Sequence, residues 1–362
     1  MDFILDDQQS VLRDLAAQIL GDRFTNETHR ELEAGGTWFD TVSWKAFADA
    51  GLLGVAVPVE YGGLGLGFME VALIAAEVGR TTAKIPFTST AIGGLALAEF
   101  ADAAVAAHWL PRVAAGDAVI ALGIADRGNT VSAAEASGGL VLNGHVSFVP
   151  SGANAQLLVV PVSSVADVKL VVIDLSSAGI VVVPQPTMVG APETRFVFTN
   201  ASVVCELAGT LASPDPVEWL RQRAVSALCS TASGVVEEAL RLTAEYVRVR
   251  EQFNKLLATF QAVSQRTGDA YINVRAIRLT ALQAAWRLSV GLPAAAEVAV
   301  AKYWASAGGQ EVLSAATHLH GGIGVDRDYP LHRYFLTARS IDLTLGGATE
   351  HLRRIGKIIA SD

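Results

Sequence analysis

Arg250-Glu251-Gln252-Phe253 opens a stretch that continues through Phe260-Gln261-Ala262-Val263 and His318-Leu319-His320-Gly321-Gly322-Ile323-Gly324 to Leu345-Gly346-Gly347-Ala348-Thr349-Glu350. Between these motifs apolar residues recur at helical spacing over 262–290 and 297–317, preceded by the same pattern over 218–250 and followed by shorter ones at 329–339 and 349–359. Long antiparallel helices of this kind predict a C-terminal four-helix bundle, an architecture that often serves as an oligomerisation core. Arginine, aromatic, glutamine and Gly-Gly are residue types that hold a phosphorylated aromatic cofactor. No Gly-rich strand-to-helix turn accompanies them, so the pattern points to a flavin dinucleotide held between helices.

Upstream, Pro214-Asp215-Pro216 reads as a linker, and before it the texture changes. Short runs rich in Val, Ile and Leu (119–124, 140–142, 145–149, 157–162, 170–173, 180–183 and 195–198) alternate with turn residues, and Asn143-Gly144 between two of them is a hairpin signal. A small antiparallel β domain is expected over 118–213. Earlier still, helical spacing at 6–20, 40–50 and 68–80 and an Ala-rich pattern reaching Ala115 predict a helical domain over 1–117. The glycines and proline of Val57-Pro58 to Gly65 make a tight surface loop rather than a dinucleotide fingerprint, since no strand precedes them. The fold class is therefore mainly α with a central β domain, the bundle occupying 214–362.

Bulk properties narrow the function. With 362 residues, 51% hydrophobic and 17% charged, the chain can bury a large core. A net charge of −9 and a pI near 5.3 argue against a general nucleic-acid or anionic-membrane binder. The first residues are acidic where a signal peptide needs positive charge, and every apolar stretch is interrupted well before the roughly 20 residues of a membrane span. Cys205 and Cys229 have no metal-ligand spacing and cannot form a disulfide framework, so both are expected as buried thiols in a reducing cytoplasm, with no metal site.

Over essentially its full length the chain resembles an acyl-CoA dehydrogenase. The resemblance rests on Leu52-Leu53-Gly54, Pro58-Val59-Glu60-Tyr61-Gly62-Gly63-Leu64-Gly65, the bundle motifs quoted above, and Asp328-Tyr329-Pro330, all in the family's order. It implies a helical domain, a β domain and a four-helix bundle. It also implies FAD held between the β domain of one subunit and the bundle of another, a glutamate that removes the substrate α-proton, and hydride transfer to flavin. By the resemblance, Arg250 contacts the FAD pyrophosphate, Phe253, Phe260 and Gln261 surround the adenylate end, and the His318, Leu319, Gly321 and Gly322 loop approaches the cofactor. His318 replaces the usual glutamine. Outside the resemblance, Arg250 would read as a solvated helix-end charge, the two phenylalanines as core, and Gly321-Gly322 as a helix stop.

The other half of the family site departs from its pattern. Ala125-Asp126-Arg127-Gly128-Asn129-Thr130-Val131-Ser132 stands where relatives carry a Thr-Glu-Pro-x-Ala-Gly-Ser-Asp-like segment. Phe148-Val149-Pro150 replaces the Trp-Ile-Thr/Ser that covers the flavin ring, and proline offers neither hydroxyl nor N–H. The base position falls on Gly346, or on Leu345 when counted from Tyr329-Pro330, and neither is a carboxylate. An alternative family base position aligns with Ala224, between Arg223 and Val225; the nearest upstream carboxylate, Glu218, suits a helix start, and Glu350 matches a non-catalytic family glutamate.

With Arg333-Tyr334-Phe335-Leu336 and Leu345 to Thr349, the chain most resembles the base-lacking subunits of heterotetrameric acyl-CoA dehydrogenases of actinobacterial sterol side-chain degradation. That resemblance implies an α2β2 assembly with a glutamate-bearing homologue, FAD shared with that partner, an acyl-CoA substrate bound mainly by the partner, and an acceptor such as electron-transfer flavoprotein. A self-sufficient homotetramer with another base, and a scaffold that has lost FAD, are the alternatives.

Overall fold

Asp6 starts the first helix: its carboxylate accepts the Gln9 N–H at 2.7 Å while the Gln9 side chain accepts the Asp6 N–H at 3.3 Å, satisfying two donors that a helix start leaves open. In the computed structural model, which describes residues 3–124, 129–136, 139–164 and 167–361, this helix is α1 (Asp7–Arg23). Next come α2 (Asn26–Ala34), α3 (Thr41–Asp49), α4 (Phe68–Arg80), α5 (Phe87–Phe100) and α6 (Ala103–Ala114). Asp40 and Asp102 cap α3 and α6 as Asp6 caps α1. Helix α2 is absent from the sequence expectation because Asn26-Glu27-Thr28-His29-Arg30-Glu31-Leu32-Glu33-Ala34 carries almost no apolar stripe. Both its ends are tied down by polar contacts instead: the Arg333 guanidinium, 6% exposed, donates to both Glu33 carboxylate oxygens and to Asn26 Oδ1.

The β region contains β1 (Ile120–Leu122), β2 (Ser132–Ala136), β3 (Gly139–Pro150), β4 (Leu157–Ser163), β5 (Val168–Asp174), β6 (Ile180–Gln185), β7 (Glu193–Ser202) and β8 (Cys205–Glu206). They form one eight-stranded sheet in the order β6-β7-β3-β2-β4-β5-β8, with β1 added on β4. Two expectations are corrected here. The sheet is mixed, not wholly antiparallel: β1 runs parallel to β4, and Ser132 of β2 pairs in parallel with Ser163. All three β1 residues are buried, the unbroken apolar pattern of a strand covered on both faces. Asn143-Gly144 is not a hairpin turn but the site of a bulge inside β3, with Gly144 at φ +110° and the Asn143 carboxamide bonded to Asn200 across the strands. A glycine that can take positive φ serves a bulge as readily as a turn, so the two expected runs at 140–142 and 145–149 are one strand. Val146, Val160, Ile173, Phe196 and Phe198 fill the apolar face of the sheet.

Helices return as α7 (Pro216–Val249), followed by the hairpin β9 (Glu251–Gln252) and β10 (Lys255–Leu256), then α8 (Gln261–Ser289), α9 (Ala295–His320), α10 (Leu331–Leu343) and α11 (Ala348–Ser361). The order is helical, β, helical, as expected. Contacts group the chain into two compact units: Met1–Thr37 with Ala72–Ala83 and Val225–Asp362, and Trp38–Val71 with Lys84–Ala224. The first unit holds the bundle. Helix α9 is its centre, packed against α8, α10 and α11; its small residues Ala301, Ala305, Gly308, Gly309, Ala315 and Ala316 are buried on one broad face, while Glu311, Ser314 and His318 on the other face are exposed. Cys229 is fully buried in this unit, whereas Cys205 on β8 is only half-buried, a correction to its expected burial.

A candidate dinucleotide site on the helical bundle

Arg250 lies one residue beyond α7, its N–H still donating to the Tyr246 carbonyl at 2.9 Å. Its side chain is exposed and has no ion pair among the described residues, which leaves a full guanidinium charge to offer. The chain then makes a two-residue hairpin loop: Gln252 pairs with Lys255, and Phe253 and Asn254 between them have φ values of 55° and 59°. Positive φ at both central residues is the backbone of the turn that matches strand twist, and asparagine tolerates it. Phenylalanine does not do so readily, yet Phe253 stands at the tip 87% exposed, its ring edge-on to Phe260 at 6.4 Å. The Leu257 N–H closes the hairpin onto the Arg250 carbonyl at 2.8 Å. Phe260 is the extended residue before α8 and Gln261 its exposed first residue.

The second motif ends α9. Gly321 takes φ 65°, ψ −141°, a conformation essentially restricted to glycine, and stops the helix while its N–H donates to the carbonyls of Thr317 and His318. A Cβ added at Gly321 or Gly322 would meet nothing within 4 Å, so both face open space. His318 is exposed, whereas Leu319 is buried at 9% and contributes its side chain to the core.

One contact joins the two motifs. The Tyr246 ring, one turn before Arg250, stacks on the His320 ring at 4.5 Å and 22°. The arginine motif and the Gly-Gly turn therefore stand at the same end of the bundle. Beside them a groove of about 600 Å³ runs between α8 and α9, from Ala262, next to Gln261, and Ala315, one turn before His318, to Asn273 and Glu311; Gln265, Arg266, Asp269 and Gln310 also line it. An unpaired exposed guanidinium, exposed aromatic and amide side chains, and a turn that backbone or ligand can approach closely fit the adenylate and diphosphate half of a dinucleotide.

His320, Tyr246 and Tyr329 are functional candidates that sequence reasoning did not single out. His320 is 3% exposed; its Nδ1 lies 2.8 Å from the Ala316 carbonyl and its Nε2 3.1 Å from the Tyr329 hydroxyl. A carbonyl can only accept, so Nδ1 carries the proton and Nε2 accepts from Tyr329. Burial lowers the pKa of His320, an effect partly offset by the Ala316 bond, and burial raises that of Tyr329. The signal lay in the quoted motifs themselves, since His320 and Tyr329 sit inside them and Tyr246 is one helical turn from Arg250.

The β-region residues expected to lack flavin contacts lie in the second unit. Phe148 sits at the register shift between Val146 and Val149 with φ 59°, half exposed, its N–H donated to Gln185 Oε1 at 2.8 Å. Val149 is buried in the sheet core and Pro150 ends β3. Asn129 Oδ1 accepts the Ser147 N–H at 3.2 Å, and Thr130 Oγ1 meets His145 Nδ1 at 2.9 Å, so both side chains are engaged within the unit; residues 125–128 of that segment lie outside the described residues. Among the described residues here, the Phe148 N–H and the Asn129 and Thr130 side chains bond within the unit, and Pro150 has no N–H to donate.

Nor is a base presented at the expected places. Leu345 and Gly346 form a turn with φ values of 57° and 87°, and Ala224 is buried. The Glu218 carboxylate accepts from Arg221 Nε and Nη2 at 2.6 and 2.7 Å and from Gln222 at 2.9 Å, while its N–H is capped by Asp215. A bidentate pair of this kind leaves the carboxylate committed to its own helix. Among the described residues no group of three or more His, Cys, Asp or Glu is arranged to hold a metal, and no helix is long and apolar enough to cross a membrane.

Comparison with known proteins bears on the same elements. A family model described as the acyl-CoA dehydrogenase N-terminal domain matches residues 6–117, and one described as the C-terminal domain matches residues 222–359. "Acyl-CoA dehydrogenase FadE27" of Mycobacterium tuberculosis is 33% identical over 99% of both chains. Among solved structures, the ChsE4-ChsE5 complex from Mycobacterium tuberculosis superposes with a TM-score of 0.94 at 33% identity over 100% of both chains. A variant of the Tcur3481-Tcur3483 steroid ACAD does so at 0.92 and 33% identity over 98% of both.

Proposed function

The chain belongs to the acyl-CoA dehydrogenase family of oxidoreductases, and we propose that within it this chain is a cofactor-completing subunit without a base of its own, working in a heteromer that oxidises a bulky acyl-CoA, of the steroid side-chain class. The observation that carries this reading is the mismatch between the two halves of the family site. The bundle end gathers Arg250, Phe253, Phe260, Gln261, His318, Gly321 and Gly322, all suited to a dinucleotide, whereas Phe148-Val149-Pro150 and Leu345-Gly346 offer neither a flavin-ring donor nor a carboxylate.

FAD, when bound, accepts the substrate β-hydride. In the proposed assembly Arg250 neutralises the diphosphate, Phe253 and Phe260 shield the adenylate end from water, Gln261 and His318 donate hydrogen bonds, and the Gly321–Gly322 turn lets the backbone come close. The ring and the proton abstraction belong to a glutamate-bearing homologue, giving an α2β2 assembly with one FAD per pair and an acceptor such as electron-transfer flavoprotein. The heteromeric steroid-class structures among the relatives support the assembly and the substrate class.

Co-expression with a glutamate-bearing homologue tests this. The expected outcome is a co-purifying pair with one flavin, emptied by Arg250→Ala in this chain. A yellow tetramer of this chain alone that reduces a dye with acyl-CoA would establish the self-sufficient enzyme instead, and a pair whose flavin is indifferent to Arg250 would establish the scaffold.

A further inference from the structure

The Gly321–Gly322 turn is held from behind by a three-ring stack. His320 is inserted between Tyr246 of α7, stacked at 4.5 Å, and Tyr329, tilted at 5.3 Å, which comes from the segment before α10. Both imidazole nitrogens are engaged, Nδ1 with the Ala316 carbonyl and Nε2 with the Tyr329 hydroxyl. On the far side Gly324 packs so closely that a Cβ there would lie 3.1 Å from His320 Cβ and 2.8 Å from the Thr317 carbonyl. The ring is thus fixed in translation by the two tyrosines, in rotation by two hydrogen bonds, and covered by the 3-10 turn Gly321–Val325 that follows it. Nothing comparable holds the outer side of the turn, where Gly321 and Gly322 face open space. A turn whose inner side is over-determined and whose outer side is bare is arranged to present backbone to something outside the chain.

We propose that His320 and Tyr329 are positioning residues for the dinucleotide: the Tyr329 hydroxyl, through His320, sets the Gly321–Gly322 turn at the distance the cofactor requires, and Tyr246 links that turn to the Arg250 motif. This rests on the proposed function, since it assumes that the bundle end receives FAD. Neither tyrosine nor His320 need touch the cofactor. The chemistry requires a neutral imidazole with its proton on Nδ1, because only that tautomer leaves Nε2 free to accept from the phenol.

The test uses the co-purified pair, stripped of flavin and titrated with FAD, with subunit dissociation and thermal unfolding followed in parallel. Tyr329→Phe keeps the ring and removes the donor, leaving a buried acceptor unpaired. The FAD dissociation constant is expected to rise about tenfold, the factor that corresponds to 1.4 kcal/mol for one such group. His320→Asn keeps a donor for the Ala316 carbonyl but falls short of Tyr329, and should lose as much. Tyr271→Phe, at an exposed tyrosine of α8 outside the stack, should bind FAD like the wild type. Subunit dissociation should be unchanged in all three, a split that a merely structural role would not produce. If Tyr329→Phe binds FAD as tightly as Tyr271→Phe, or if FAD affinity and subunit affinity fall together, the positioning role is wrong. Arg250→Ala separates that failure from failure of the functional reading: should it too leave FAD binding untouched, the bundle end is no cofactor site and both ideas fall.

Discussion

Lys302 Nζ donates to the carbonyl oxygen of Gly346 at 2.6 Å from the fully buried interior of α9. The same ammonium reaches Ser306 Oγ at 3.0 Å and the Asp342 carbonyl at 3.4 Å, while His351 Nε2 lies 2.9 Å from the Leu345 carbonyl. Two consecutive carbonyls are thereby pulled inward, and Leu345 and Gly346 both take positive φ to allow it. A Cβ at Gly346 would lie 2.9–3.1 Å from the carboxyl group of Glu350, a flexible side-chain end that would have to move, and the φ of +87° itself favours glycine. The position where the family resemblance expects a base is thus a turn shaped around having no side chain.

Gly346→Glu should therefore not restore a base. It places a substituted residue at φ +87° against an existing carboxylate and should cost about 2 kcal/mol. Adding Glu350→Ala removes the clash and the like charge and should recover roughly half of that loss. Urea unfolding of the single and double variants measures both. Dye reduction with acyl-CoA by the single variant would sink the idea that this turn excludes a base.

Lys302→Met tests the lock itself. Methionine fills similar volume but leaves the part-buried Gly346 and Asp342 carbonyls without this donor, a loss of about 1–3 kcal/mol. A change below about 0.5 kcal/mol in the denaturant midpoint would mean that water or a rearranged turn replaces the ammonium at little expense.

The architecture was largely legible because the long helices carry their own period: the expected 262–290 is α8 at Gln261–Ser289, and 68–80 is α4 at Phe68–Arg80. What was not legible depended on partners distant in sequence. Helix α2 has little stripe of its own and is held by Arg333, 300 residues away from Glu33. Asn143-Gly144 has the local chemistry of a turn, and only pairing with β7 decides that it is a bulge. At the candidate site the motif residues were readable by type, but the Tyr246–His320 stack that brings them to one end joins two helices, and the Lys302 lock joins Lys302 to a turn 44 residues on. Periodicity reports which face is buried, not which buried groups bond to each other.

His320 gives the fold an acid-side weakness. Burial lowers its folded pKa, so the folded chain resists a proton that the unfolded chain takes up near about pH 6.5. Stability from this group is complete above that pH and is lost as pH falls from there toward the lower folded value. Comparing urea midpoints at about pH 7.5 and about pH 5.5, the wild type should lose more than His320→Asn, which has no imidazole to charge. Equal losses in the two proteins would remove His320 as the cause.

Phe253 sets fold against function most sharply. Its φ of 55° is costly for an aromatic residue, and asparagine would sit there with little strain, a gain of about 1 kcal/mol. The same substitution removes the edge-on contact with Phe260, worth about 0.5–1 kcal/mol in so exposed a pair. These nearly cancel, so Phe253→Asn should leave the thermal midpoint of the isolated chain within about 1 °C of wild type. In the flavin-bearing pair it should nonetheless weaken FAD retention severalfold, because an 87% exposed ring held in an unfavourable backbone conformation contributes its area to something other than this chain's own core. Flavin absorbance per pair after gel filtration reads the second effect and calorimetry the first. Should both stay at wild-type values, Phe253 is an ornament of the hairpin rather than part of the site.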